Sequence, residues 1–81
     1  MTKKIYIEYY AILREERGLD KETIETQVST AKDVYYQLKK EYGFSFDIKS
    51  LQLAINDEFS QWNKTIKSGD RLIFIPPVAG G

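Results

Sequence analysis

Short runs in which apolar residues alternate with polar ones recur along the chain and predict β-strands. The first covers residues 5–10, the second residues 22–28 and the third residues 51–55. Residues 71–75 contain four apolar residues in succession, which predicts a strand buried on both faces, as at the parallel centre of a sheet. The stretch between the last two strands has no regular period, and we expect irregular structure there, with a short extended piece around Phe59.

One longer segment has the 3.6-residue period of an amphipathic α-helix. Its apolar positions are Ala31, Val34, Tyr35, Leu38 and Tyr42. Ser29 or Thr30 is suited to cap its N-terminus, and Asp33 favours the positive end of the helix dipole. Gly43 is suited to end it. A shorter helical turn is predicted over residues 11–17, directly before a glycine.

The order of elements is therefore strand, helical turn, strand, helix, strand, irregular segment, strand. A strand–helix–strand unit requires a right-handed crossover, and one helix packed across a mixed sheet buries the apolar faces of both. The pattern predicts an α+β fold of the β-grasp, or ubiquitin-like, class, in which one main helix packs across a mixed sheet. We expect residues 1–75 to form this domain and residues 76–81 to form an extended C-terminal tail.

Composition narrows the possible functions. The 81 residues include 12 basic and 12 acidic side chains, so the net charge is zero and we expect neither a nucleic-acid nor a membrane partner. Cysteine and histidine are absent, which excludes a disulfide framework, a thiolate or imidazole metal site and a cysteine nucleophile. The carboxylates follow no calcium-site or glycosidase spacing, so no metal is predicted. No apolar run approaches the ~20 residues of a membrane helix, and a cytoplasmic location is expected.

The last predicted strand leads directly into a tail of distinctive composition. Its sequence is Pro76-Pro77-Val78-Ala79-Gly80-Gly81. Proline restricts φ to about −65° and donates no backbone hydrogen bond, so the two prolines end the sheet and direct the chain outward. The residues beyond them are small or apolar, and the glycines carry no side chain, so the tip is narrow enough to enter another protein's active site. A bare Gly-Gly is also common at frayed termini. The apolar strand, the two prolines, the small-residue spacer and the Gly-Gly together are a more specific signal of a functional tail.

The tail presents the Gly81 carboxylate as a chemical handle. A carboxylate is a poor acyl donor because it is anionic and its oxygen is a poor leaving group. ATP can convert it to an acyl adenylate, from which a sulfur nucleophile displaces AMP. The chain has no glycine-rich phosphate loop. We therefore expect an activating partner to bind the ATP, and we predict no cofactor bound to this chain.

Four stretches of the sequence carry a family resemblance. They are Tyr10-Ala11-Ile12-Leu13-Arg14-Glu15, Thr30-Ala31-Lys32-Asp33-Val34, Leu53-Ala54-Ile55-Asn56 and the ending from Gly69-Asp70 through Gly81. Together they resemble the small subunit of molybdopterin synthase, within the family of ubiquitin-like sulfur carriers. They span nearly the whole chain in the family's order, and the ending is the specific one. Family members often have an aromatic residue before the two prolines, where this chain has Ile75.

The resemblance implies that an E1-like adenylating enzyme, similar to ubiquitin-activating enzymes, activates Gly81, which then becomes a thiocarboxylate. A persulfide donor would supply the sulfur. The tail would enter the molybdopterin synthase large subunit, which would hold the catalytic pocket, and the sulfur would pass to a pterin precursor to form its dithiolene. This chain would then donate sulfur without being catalytic itself. The residues expected to contact a partner are Tyr10, Ile75, Pro76, Pro77, Val78, Ala79 and Gly80.

Other functions and other roles for single residues remain open. The chain could be a sulfur carrier of another pathway, such as thiamin synthesis, a ubiquitin-like modifier joined to lysines, or an inert interaction module. Tyr10 is equally well explained as an ordinary half-buried surface tyrosine. We expect Trp62 to cover an edge of the core rather than dock a partner. The charged residues at positions 14–17 are expected to be solvated rather than to steer a partner.

Overall fold

The structure is a computed structural model and describes residues 2–77. It contains five strands, two α-helices and one short 3₁₀ turn. In chain order they are β1 (Lys3–Tyr9), α1 (Ala11–Arg17), β2 (Lys21–Thr26), α2 (Ala31–Tyr42), the 3₁₀ turn (Ile48–Ser50), β3 (Gln52–Ile55), β4 (Glu58–Ser60) and β5 (Arg71–Ile75). No helix within residues 2–77 has the length and apolar character needed to cross a membrane.

The strands form one mixed sheet in the order β2-β1-β5-β3-β4. Strand β5 lies in the middle, parallel to β1 and antiparallel to β3. Its pairing with β1 matches Tyr6 to Arg71 and Tyr9 to Phe74. The prediction of a buried, central final strand is confirmed, because β5 has a strand on either side and three of its five residues are buried.

Helix α2 covers one face of this sheet, which we call the core face. The core combines alternate residues of the strands with the apolar side of the helix. Its fully buried side chains include Ile5, Ile7, Tyr9, Val34, Tyr35, Leu72 and Phe74. Thr30 caps α2, since its Oγ1 accepts the backbone N–H of Asp33 at 3.2 Å. Gly43 ends the helix with φ 72° and donates its N–H to the Lys39 carbonyl at 2.8 Å.

The short extended piece predicted around Phe59 is the strand β4. It pairs with β3 in a tight hairpin, with Ala54 opposite Phe59. The two residues of the turn, Asn56 and Asp57, have φ of 53° and 72°. Asparagine and aspartate tolerate this left-handed conformation, which suits two-residue hairpin turns. A three-residue strand is too short to show a periodic pattern in the sequence. The local sequence signal for this hairpin is therefore the turn at Asn56 and Asp57.

The turn that leads into β5 is fixed by hydrogen bonds. The buried Asp70 accepts the Lys67 N–H at 2.8 Å through Oδ2 and the Asn56 side-chain amide at 3.0 Å through Oδ1. Asn56 in turn accepts the Arg71 N–H at 2.9 Å. Gly69 has φ 95° and donates its N–H to the Lys4 carbonyl at 2.7 Å. These bonds fix the register of β5 against β1 and against the β3–β4 hairpin.

Candidate functional site at the end of the last strand

The candidate site begins where β5 leaves the sheet. Ile75 is half-buried, Pro76 is buried and Pro77 is exposed. The domain therefore holds the chain through Pro76, and the direction of the tail is set at that residue. The remaining predicted tail residues, Val78, Ala79, Gly80 and Gly81, lie outside the described residues, so their roles stay predictions.

The sheet brings the end of β1 next to the end of β5. Tyr9, the last residue of β1, pairs with Phe74, so Tyr10 and Ile75 each lie one residue beyond this last pair. Tyr10 is 46% exposed, and its hydroxyl donates to Glu8 at 3.4 Å. Two residues that the sequence singled out separately, near opposite ends of the chain, thus lie at the same end of two paired strands, where the tail leaves the domain.

The sheet face opposite α2, which we call the outer face, carries further apolar side chains, together with an ion pair between Glu8 and Arg71 at 3.2 Å. We define the outer patch as Tyr6, Tyr10, Phe59, Ile73 and Ile75. Ile73 lies opposite Ala54, and Ala54 lies opposite Phe59, so these side chains share the face. Phe59 is 75% exposed and Tyr6 is 42% exposed. Ile73 is itself buried within this face, and Tyr6 lies beside Arg71. Exposed aromatic side chains such as Tyr6, Tyr10 and Phe59 are typical of protein-binding sites.

The sequence alone did not identify Tyr6 and Phe59 as functional candidates. The alternation of β1 was sufficient to place Tyr6 outward, because Ile5 and Ile7 point into the core. Phe59 offered no comparable pattern, since its strand is only three residues long. Its position depends on the hairpin that pairs it with Ala54.

Aromatic packing on the core face supports the end of β5. Phe74 stacks on Trp62 with ring centroids 5.8 Å apart and meets Tyr35 edge-on at 5.1 Å. Tyr9 lies 6.2 Å from Phe74. Trp62 therefore covers an edge of the core, as predicted. Interlocked aromatic rings of this kind hold the last residues of β5 in one position.

A polar cluster lies next to these rings. Arg17 donates two hydrogen bonds of 2.8 Å to Glu22, and the Tyr9 hydroxyl donates to the same carboxylate at 2.6 Å. The Arg17 hydrogen bonds hold the pKa of Glu22 below its ordinary value, while burial raises the pKa of Tyr9. The Arg17 guanidinium also lies 3.8 Å from the centre of the Tyr42 ring. The cluster joins α1, β2 and α2 at the β2 edge of the sheet, and Tyr9 connects it to β1.

Arg17 differs from the sequence prediction. The charges at positions 14–17 were expected to be solvated, but the Arg17 side chain is only 19% exposed and is paired with Glu22. Glu16 accepts hydrogen bonds from the backbone and hydroxyl of Ser45. The reason is the turn at Gly18, which ends α1 and returns the chain so that β2 lies beside it. Glu16 and Arg17 thus stabilise the domain, whereas Arg14 and Glu15 are exposed, as predicted.

The described residues provide no catalytic cluster around the tail. Within residues 2–77, no group of three or more carboxylates is placed to hold a metal ion. As far as residues 2–77 describe it, the site is therefore a presenting surface at the end of β5 rather than a catalytic pocket.

A sheet in this strand order, with one helix across it and the last strand central, is the ubiquitin-like β-grasp fold, as predicted. A family model described as the ThiS family matches residues 7–81, and the chain belongs to that family. A relative from Haemophilus influenzae, the molybdopterin synthase sulfur carrier subunit, is 30% identical over 76 residues, covering 90% of this chain and 94% of the relative. The predicted resemblance to the small subunits of molybdopterin synthase is confirmed.

Solved structures share the fold along the whole chain. The Pyrococcus furiosus protein assigned as molybdopterin converting factor subunit 1 matches with a TM-score of 0.78 and 26% identity, over 94% of this chain and 99% of that one. The small archaeal modifier protein 1 of Methanosarcina acetivorans matches with a TM-score of 0.78 and 21% identity, over 100% and 99%. A complex of subunits 1 and 2 of the Helicobacter pylori molybdopterin-converting factor contains a chain that matches with a TM-score of 0.64 and 22% identity, over 100% of both chains.

Proposed function

We propose that this protein is a sulfur carrier for molybdopterin synthesis, whose Gly81 carboxyl is adenylated by an E1-like enzyme and then converted to a thiocarboxylate. The observation that carries the proposal is the extent of the family match, which continues past β5 through the whole tail to Gly81. The relative named as a molybdopterin synthase sulfur carrier subunit supports the pathway, because 94% of its length is matched.

The chemistry requires two partners, and the chain moves between them. In the first, a carboxylate oxygen of Gly81 attacks the α-phosphate of ATP and releases pyrophosphate, which leaves an acyl adenylate. The outer sulfur of a persulfide donor then attacks the acyl carbon, displaces AMP and forms an acyl disulfide. A second thiol attacks the donor's sulfur in that bond, which releases the thiocarboxylate and leaves a disulfide between the donor and the second thiol. In the second partner, the large subunit of the synthase, the sulfur passes to a pterin precursor. The role of this chain is to bind, to place its tail and to leave.

The outer patch is the surface that we propose for partner docking. It includes Tyr10 and Ile75, and it adjoins the point where the tail leaves the domain. A partner that receives the tail approaches this end of the sheet, and burying exposed aromatic and aliphatic side chains there stabilises the complex by roughly 25 cal/mol per Å² of apolar surface. Pro76 and Pro77 restrict the chain and so lower the entropy lost when the tail is bound.

Intact-mass analysis tests the cargo. The chain is produced with its cognate adenylating enzyme and sulfur donor, and we expect a fraction in which one oxygen is replaced by sulfur. A variant lacking Gly81 is the control. It should unfold at the same denaturant concentration as the parent, because β5 ends at Ile75, and it should acquire no sulfur. The absence of any sulfur adduct on the parent, under every sulfur supply, would rule out the carrier function.

Two further measurements separate the alternatives. If the protein is a modifier, digests of cells producing it will contain lysines joined to its C-terminal glycine. If all of the protein instead carries a thiocarboxylate and no such lysines are found, the modifier function is excluded. If it serves thiamin synthesis, it will restore growth to a strain lacking the thiamin carrier and will not restore molybdoenzyme activity. Restoration of molybdoenzyme activity alone supports the proposed pathway.

A further inference from the structure

A groove lies on the side of the tail base away from Tyr10. Its volume is about 430 Å³. One wall is the segment from the 3₁₀ turn into β3, and the other is the end of β5 with the two prolines. The lining residues are Lys49, Ser50, Leu51, Gln52, Ile75, Pro76 and Pro77. The groove thus shares Ile75 with the outer patch and reaches the residue at which the tail leaves the domain.

The groove has an apolar floor and one cationic group on its rim. Leu51 is only 6% exposed and Pro76 is buried, so both present apolar surface to the groove. Lys49 is the charged residue among those that line it. Within residues 2–77, the Lys49 ammonium forms no ion pair. The carboxylate of Asp47 accepts the Tyr36 hydroxyl at 3.0 Å and the Ile48 N–H at 2.6 Å. These hydrogen bonds, and to a smaller extent the charges of Lys39 and Lys49, hold the pKa of Asp47 below its ordinary value, so Lys49 interacts with Asp47 at a distance without forming an ion pair with it.

The short length of the tail brings a partner that binds Gly81 close to this groove. The proposed reacting carbonyl belongs to Gly81, four residues beyond Pro77. A fully extended chain covers at most about 3.3–3.6 Å per residue, so Gly81 reaches no more than about 14 Å from Pro77. A partner that encloses the Gly81 carbonyl therefore places its own surface against the tail base, with the outer patch on one side and the groove on the other.

We propose that the groove receives an acidic segment of the adenylating partner, with an apolar side chain on Leu51 and Pro76 and a carboxylate paired with Lys49. The positive charge at the rim complements the carboxylate, and the apolar floor complements the apolar side chain. The inference rests on the proposed function, because it is the binding of the tail that brings the adenylating partner to the groove. An ion pair at the rim of an interface acts chiefly on the association rate and on its salt dependence. Lys49 is thus a docking residue and takes no part in the chemistry at Gly81.

Carbodiimide cross-linking tests the contact directly, because it joins an amine to a carboxylate that touches it. The complex of the full chain with its cognate adenylating enzyme is treated and digested. We expect an amide between Lys49 and an aspartate or glutamate of the enzyme. Lys32, which is exposed on α2 and does not line the groove, should remain uncoupled. A complex that cross-links elsewhere and never at Lys49 would overturn the inference.

Kinetics then separate this inference from the proposed function. K49E should slow association with the enzyme roughly three- to tenfold at low salt, and the difference should shrink as salt rises. K32E makes the same charge change and should leave association unchanged. At saturating carrier, both variants should form adenylate at the parental rate. If K49E associates at the parental rate at low salt, the docking inference is wrong, but the proposed carrier function stands. If the parent protein forms no adenylate, both the inference and the proposed function are wrong.

Discussion

The two ends of β5 are held in opposite ways. At its start, Asp70 and Asn56 fix the strand through side-chain hydrogen bonds, and Gly69 closes the turn onto Lys4. At its end, residues 74–77 make no side-chain hydrogen bond to any other residue of the described range 2–77, and the strand is held by the packing of Phe74 against aromatic rings and by the burial of Pro76. Both ends belong to one five-residue strand.

The difference separates the structural role of the strand from its proposed function. Hydrogen bonds at the start satisfy buried polar groups and fix the register, so a change there affects the whole sheet. Proline at the end has no N–H to satisfy, so the chain can leave the sheet without an unpaired donor. The end of β5 can therefore be covered by a partner and uncovered again while the hydrogen bonds of the domain stay intact.

The largest expected effect comes from removing the ring that anchors the end of the strand. F74A should lower the free energy of unfolding by about 3–5 kcal/mol, since a fully buried Phe leaves a cavity. I75A, one residue later and only half-buried, should cost about 1 kcal/mol or less. Denaturant unfolding of both variants measures the contrast. Equal losses would mean that the end of β5 is not anchored by its core face.

A second variant tests the hydrogen bonds at the start of the strand. D70N should cost about 1–3 kcal/mol, because an amide cannot accept both of the hydrogen bonds that the carboxylate accepts. D57N is the matched control in the adjacent hairpin turn. Its side chain is 73% exposed and its ion pair with Arg71 should be worth at most about 1 kcal/mol. Thermal or denaturant unfolding compares the two, and equal effects would contradict the structural role of Asp70.

A third variant asks whether the end of the strand can lose partner binding without losing stability. I75S should weaken binding to the adenylating enzyme roughly tenfold, equivalent to about 1.4 kcal/mol, because it removes apolar surface at the end of β5. T23A, on the exposed outer face of β2, should leave binding unchanged. Calorimetric titration measures both affinities. Unchanged binding of I75S, with a stable fold, would exclude this part of the outer patch from docking.

The smallest effect is a pH dependence of the polar cluster at the β2 edge of the sheet. The pKa of Glu22 is lower in the folded protein than its ordinary value, so the unfolded state binds a proton more readily. The stabilisation is therefore present above the ordinary glutamate pKa and is lost as pH falls through the lowered one. Unfolding measured as a function of pH should show a shallower acid decline for E22Q. An identical decline would mean that the Arg17–Glu22 pair does not contribute.

Local patterns in the sequence were sufficient for much of the fold. Thr30 and Gly43 end α2 as predicted, because capping depends on neighbouring residues. The placement of Tyr10 and Ile75 at the same end of the sheet was not predictable in this way, since it requires the parallel pairing of β1 with β5. The same holds for the burial of Arg17 against Glu22. The tail motif identified the family, while the surface around the tail emerged only from pairings between distant segments.

The central position of β5 has a consequence for the synthesis of the protein. In the sheet, the antiparallel pair of β1 and β2 and the hairpin of β3 and β4 are joined through β5, which comes last of the five described strands in the chain. During translation, the two strand pairs emerge first and expose unpaired edges that can associate with other chains. The sheet can close only when residues 71–75 leave the ribosome, so these edges stay exposed until the end of synthesis.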